Sequence, residues 1–194
     1  MGNATNMSTS KGKLVELNEL ARAHRERGQF DLAEREFSEA LEICRSLAQD
    51  DPSFEDDIAR NLGGLAILHD RQERREEAEW EFVEALKIRR RLATNDPANF
   101  EIELSWSLGN LALYYEKQGR SKEAACLYEE VLPIYRRLAK MNPVKFEDSL
   151  GGALWKLSEF YKAAGQQDKY AAVMAEGQPL FEKTLEKIRR SESI

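Results

Sequence analysis

The stretch Ser107–Ala139, SLGNLALYYEKQGRSKEAACLYEEVLPIYRRLA, decides the fold. Leu108, Leu111, Ala112 and Tyr115 recur at steps of three, one and three, which puts them on one face of a 3.6-residue helix. A turn is marked at Gly119, and Ala124, Leu127, Tyr128, Val131 and Leu132 then repeat the pattern. The stretch reads as two amphipathic helices folded back on each other. Ala112 and Ala124 are small enough to let the helices approach, while Tyr115 and Tyr128 fill the space beside them. Such a pair buries one side of each helix only, so it needs neighbours.

The neighbours are copies of the same pattern. Leu108, Leu111, Ala112, Tyr115, Ala124, Tyr128 and Val131 align with Leu62, Leu65, Ala66, His69, Ala78, Phe82 and Ala85, and with Leu17, Leu20, Ala21, His24, Ala33, Phe37 and Ala40. A fourth copy keeps its first helix in Leu154, Leu157, Ser158 and Tyr161, and decays in the second to Tyr170, Met174 and Gly177. Leu20, Leu65, Leu111 and Leu157 stand 45, 46 and 46 residues apart. The connectors repeat as well: LAQDDPSFE from Leu47, LATNDPANFE from Leu92 and LAKMNPVKFE from Leu138. Each carries Asp or Asn before Pro, an N-cap followed by Pro at the first helical position.

This order of Leu, Leu-Ala, Tyr or His, Gly, Ala, Phe or Tyr, Ala resembles the tetratricopeptide repeat. The long period and the Asp/Asn-Pro connector are similar to the kinesin-light-chain-like variety, whose period exceeds the usual ~34 residues. The resemblance covers roughly Leu14 to Arg190. It implies an all-α fold, a right-handed superhelical solenoid of four antiparallel helix pairs. The repeats are expected at about 14–50, 51–95, 96–141 and 142–190, as one solenoid over 14–190. Residues 1–13 and 191–194 are expected as polar tails, the first disordered.

Composition narrows the function. A net charge of −6 opposes a general nucleic-acid binder. No apolar run is long enough for a membrane span and no signal-peptide pattern stands at the start, so a cytoplasmic location is expected. His24 and His69 share the slot of Tyr115 and Tyr161 and read as packing residues, because a metal site needs three or four converging ligands. Cys44 and Cys126 read as free thiols, the first buried and the second part-exposed. Arg89-Arg90-Arg91 and Arg189-Arg190 read as cations in the last turns of helices, facing the helix dipole. Glu73 stands where the other turns have Gly, which predicts a tighter or more helical turn. Pro133 and Pro179, in one slot of two second helices, predict kinks. Gly63-Gly64 and Gly151-Gly152 mark backbone open to a neighbour or a ligand. No catalytic, cofactor or metal motif stands out, so an enzyme is not expected.

The resemblance also implies a groove lined by the first helix of each pair. Its candidate residues are Asn18 and Arg22 in the first repeat, and Arg60, Ile67 and Arg71 in the second. The third supplies Trp106, Asn110, Leu113 and Lys117, and the fourth Trp155 and Glu159. Asn110 occupies the place where kinesin-light-chain-like repeats carry the second of two Asn residues able to hold a peptide backbone; the first is Gly109 here. Trp106 and Trp155 either anchor a partner or pack against a neighbouring repeat. The expected function is a protein-interaction adaptor holding a partner peptide or helix, with Arg60, Arg71 and Lys117 favouring acidic side chains. The alternative is a self-associating scaffold whose repeats stack or dimerise, suggested by Trp80, Cys126 and the weak fourth repeat.

Overall fold

The computed structural model describes residues 2–191. Among them are eight α-helices and no strand: α1 (Gly2–Glu26), α2 (Phe30–Ala48), α3 (Glu55–Arg71), α4 (Arg75–Asn95), α5 (Pro97–Lys117), α6 (Ser121–Met141), α7 (Pro143–Ala163) and α8 (Gln167–Ser191). A single 3-10 turn, Pro52–Phe54, precedes α3. The chain, expected as one solenoid, divides into two compact units, Met1–Phe100 and Glu101–Ile194.

In unit 1, α1 packs on α2, α2 on α3 and α3 on α4. Its core joins Ala21, Phe37, Leu41, Leu62, Leu65 and Leu68 in one cluster, with Leu14, Leu17, Cys44 and Phe54 in a second. In unit 2, α6 packs on α7 and α7 on α8. Tyr135 of α6 reaches back to α5, donating its hydroxyl to the Ser105 carbonyl oxygen at 3.3 Å. Leu108, Val131, Leu154 and Leu157 are fully buried there. Leu108, Leu154 and Leu157 fill leucine slots of the repeat and Val131 the slot of Ala40 and Ala85, whereas Leu20, in the slot of Leu157, is 40% exposed.

The helix starts follow the connector signals. The Asp51 carboxylate accepts from the Ser53 amide at 3.0 Å, and the Asn142 side chain from the Lys145 amide at 3.2 Å. Asp96 accepts from the Asn99 amide at 3.3 Å. Pro97 and Pro143 open α5 and α7, where the missing N–H costs nothing.

Two expectations meet a different outcome. The polar stretch 1–13 is helical from Gly2 rather than a disordered tail: it contains no Pro, and extending a helix already nucleated over Leu14 is cheap. Of the expected second tail, Ser191 ends α8 and 192–194 lie outside the described residues. The Glu73 turn is not tighter. Glu73 has φ of 62°, beside 74°, 73° and 69° at Gly28, Gly119 and Gly165. The closing bond is the same in all four turns: the next amide donates to the carbonyl five residues back, Gln29 to His24, Arg74 to His69, Arg120 to Tyr115 and Gln166 to Tyr161, at 2.8–2.9 Å. That bond fixes a left-handed residue whatever its side chain. Pro133 and Pro179, where kinks are expected, both lie inside continuous helices, α6 and α8.

Candidate partner-binding surface

In unit 2, α5 exposes Trp106 and Leu113, and α7 exposes Trp155. Trp106, Leu113 and Trp155 are 45%, 53% and 46% exposed, so neither tryptophan is buried against a neighbour. The Trp155 ring meets Phe181 of α8 edge-on at 5.5 Å, and Lys145 Nζ lies 5.5 Å from the Trp106 ring centre. Each ring is thus held in place on one side and open on another.

Three adjoining cavities run along this face. The first, 430 Å³, is lined mainly by Gly151, Gly152, Trp155, Phe181 and Leu185. The second, 220 Å³, lies among Gly109, Leu113, Tyr128, Tyr135, Gly152 and Lys156. The third, 290 Å³, is lined by Glu116, Tyr128, Lys156, Glu159 and Phe160, among others. Lys156 belongs to all three, and its ammonium is held 3.1 Å from Glu116 Oε2. Gly152 joins the first two, and a Cβ added to it would meet nothing within 4 Å. The floor of the trough is therefore bare helix backbone with room above it. The glycine pairs divide their labour: Gly152 and Gly63 face open space, while Gly151 lies under Leu180 and Gly64 under the Phe37 ring.

Of the candidate groove residues, Leu113, Trp155 and Glu159 line these cavities; Trp106, Asn110 and Lys117 are exposed on the same unit outside them. The unit 1 candidates are more engaged with the protein itself. Asn18 is buried and donates to the Leu14 carbonyl at 3.0 Å. Arg60 pairs with Asp56 at 2.7 Å and with Asp57. Arg71 stacks 5.7 Å over the Phe30 ring, Ile67 is half-buried and Arg22 is exposed.

Sequence reasoning missed the charged partners of the packing slots. His24 Nδ1 meets Glu36 Oε2 at 2.8 Å and His69 Nδ1 meets Glu81 Oε2 at 2.8 Å, in both cases a glutamate twelve residues on. Burial pushes the Glu81 carboxyl up to about 7, against the pull of His69. In unit 2 the Tyr128 hydroxyl donates to Glu116 at 3.1 Å and the Tyr161 hydroxyl to Glu129. Burial, then the neighbouring carboxylate, pushes both phenols up. The arginine run in α4 is not in the last turn, since the helix continues to Asn95. Arg89 is buried with Nε 3.2 Å from Asp56 Oδ1, and Arg91 reaches Glu55 at 2.9 Å. Cys44 is buried, its thiol pushed up to about 12 by burial, and Cys126 is exposed.

Antiparallel helix pairs recurring at a 45–46-residue period are the mark of a helical repeat protein. The tetratricopeptide repeat matches residues 14–91 and again residues 104–140, together more than half of the chain. The chain belongs to the tetratricopeptide-repeat family. No curated protein matches it significantly. Among solved structures, BtubC (BKLC) from P. vanneervenii is similar over 85% of this chain and 61% of that one, with 22% identity and a TM-score of 0.66. The kinesin light chain TPR-like repeats of Podosopora anserina are similar over 88% of this chain and 76% of theirs, with 21% identity and a TM-score of 0.60. Aspartyl phosphate phosphatase F from Bacillus subtilis follows the fold over 96% of this chain and 43% of its own, at 14% identity and a TM-score of 0.68. The chain spans about three fifths or less of the first and last of these proteins. These likenesses establish the fold. No helix among the described residues is long and apolar enough to cross a membrane.

Proposed function

We propose that the chain is an adaptor that takes an extended peptide or a helix of a partner protein onto the α5–α7 face of unit 2. One observation carries this reading: the bare Gly152 backbone lies between Leu113 on one side and Trp155 with Phe181 on the other, in adjoining cavities. Apolar side chains of the partner enter beside Leu113 and Trp155, and its backbone lies over Gly152. Trp106 and Asn110 extend the contact along α5. Lys117 and Lys162, both exposed, favour acidic side chains at the edge. Nothing in this surface requires chemistry on the partner; it binds rather than transforms.

The test is Gly152→Leu. The added side chain fills the trough from a position with free space, and replacing Gly inside a helix favours the helix by about 0.5–1 kcal/mol. Wild type and variant are run in parallel affinity captures with circular dichroism as the control. Partners held by wild type and lost by an equally helical Gly152→Leu support the reading; the same partners from both would overturn it.

Self-association is a second reading, favoured by the 54% exposure of Trp80 on α4 and by the exposed Cys126. A light-scattering mass of one chain across a wide concentration range would exclude it.

A further inference from the structure

The corner of unit 1 where α1 ends and α2 begins gathers three guanidinium groups. Arg22 and Arg25 stand three residues apart on α1, and so on one face of it. Arg71, the last residue of α3, reaches the same corner: its guanidinium lies 5.7 Å from the centre of the Phe30 ring, and Phe30 opens α2. The turn from α1 to α2 is tight, with the Gly28 amide donating to the Arg25 carbonyl at 3.1 Å and the Gln29 amide to that of His24 at 2.9 Å. Arg25 is half-buried, while Arg22 and Arg71 are exposed. The charges of Arg22 and Arg71 both act on Arg25 and repel it.

The repeat does not ask for cations here. Arg25 stands in the slot of Asp70 and Glu116, Arg71 in that of Glu26, and Arg22 in that of Leu113 and Glu159. The dipole at the helix ends accounts for one cation on α1 and one on α3. It does not account for Arg22, one turn further in, nor for bringing the three together. Among the described residues no carboxylate forms an ion pair or a hydrogen bond with any of them. Burial holds Arg25 below the usual arginine range; Glu26 pulls the other way, and the charges of Arg22 and Arg71 add to the lowering. An arginine stays charged all the same. Arg60, also on a first helix, shows the contrast, since its charge is taken by Asp56 and Asp57.

A half-buried cation pressed by two others is stabilised by an anion, and the more so for being partly out of water. A guanidinium presents N–H donors in a planar fork that matches two oxygens of one phosphoryl or carboxylate group. We propose that Arg22, Arg25 and Arg71 form an anion-binding site that takes one oxyanion of a partner peptide, a phosphoryl group or a side-chain carboxylate. Arg25 is the base of the site, with Arg22 and Arg71 as its rim. The Phe30 ring holds the Arg71 guanidinium at the corner. The site lies wholly on unit 1 and does not rest on the α5–α7 face.

The experiment is an NMR titration of the nitrogen-15-labelled full chain at constant ionic strength, following the arginine Nε–Hε signals. The probes are inorganic phosphate, N-acetyl-phosphoserine amide and N-acetyl-glutamate amide. The signals of Arg22, Arg25 and Arg71, assigned by replacing each with Gln in turn, should move together and saturate with one millimolar dissociation constant. Arg35, exposed on α2, should move only in proportion to the added anion. Saturation by the glutamate probe as well assigns the site to oxyanions at large; saturation by the phosphoryl probes alone assigns it to a phosphorylated partner. Arg25→Gln should raise the dissociation constant about tenfold without lowering the thermal midpoint, because it removes a charge that its neighbours repel. Arg22→Gln, at an exposed position, should raise it about threefold. Signals that do not saturate below about 50 mM of any probe, an Arg35 signal on the same curve, or an unchanged constant in both variants would overturn the site.

Discussion

The two units use the same repeat slots for different chemistry. Where unit 1 has His24 and His69 bonded to Glu36 and Glu81, unit 2 has Tyr115 and Tyr161, the latter bonded to Glu129. Where unit 1 has Cys44 and the ion-paired Arg89, unit 2 has Tyr135 and Phe181. The repeat dictates where a side chain points; it does not dictate what bond the side chain makes. Unit 1 fills its junctions with charge, which titrates and which tolerates the loss of a partner poorly. Unit 2 fills the same slots with aromatic rings, and Trp106, Leu113 and Trp155 are exposed on it.

The sharpest way to break that contrast is the Asp56–Arg89 pair. Both residues are about 8% exposed, and Asp56 also receives Arg60 at 2.7 Å. Removing one partner of a buried pair leaves the other charge desolvated, which costs more than the pair itself was worth. Asp56→Ala is expected to destabilise the chain by about 3 kcal/mol in urea or thermal unfolding. The matching change in unit 2, Tyr135→Phe, removes one hydrogen bond and leaves the residue type of the next repeat in place; it should cost about 1 kcal/mol or less. Equal costs would mean that the two units are not held together in different ways.

A smaller effect lies in the turns. Gly119 and Gly165 of unit 2 take their left-handed conformation without a side chain, while unit 1 uses Gly28 once and Glu73 once. A non-Gly residue pays about 1–2 kcal/mol there, and glycine returns part of that through its freer unfolded chain. Glu73→Gly should therefore raise stability by about 0.5–1 kcal/mol, read as a higher urea midpoint with an unchanged slope.

The fold was legible because it rests on spacing. Leu17, Leu62, Leu108 and Leu154 mark the buried row in every repeat, and the Asp/Asn-Pro connectors mark the starts of the first helices. The turn at Glu73 was misread because residue preference was weighed against the closing hydrogen bond, and the bond wins. The geometry of the proposed surface was legible in part. Trp155 and Leu113 line the trough, but Asn18 bonds within its own helix and Arg60 is held by two aspartates. Slot position says which helix face a residue occupies; it does not say whether a neighbour has already taken its charge. The histidine clusters had a signal in the sequence: a glutamate follows His24 and His69 at the same interval. That signal joins two helices and is lost when each helix is read alone.

The weakest expected effect concerns a feature both units share. The glutamate closing each connector pairs with a basic residue 36 positions on, near the end of the second helix: Glu55 with Arg91 at 2.9 Å, Glu101 with Arg137, and Glu147 with Lys183 at 2.7 Å. The basic side chains are 55–58% exposed, so water and salt screen each pair. A double-mutant cycle on any of them should give a coupling of about 0.5 kcal/mol or less, fading in about 0.5 M salt. Arg89 and Arg91 then become the decisive neighbours. They lie two residues apart on α4 and both reach the start of α3, yet one pair is buried and the other wet. A coupling at Arg91 as large as that at Arg89 would show that burial is not what separates the charged junctions of unit 1 from the rungs common to both units.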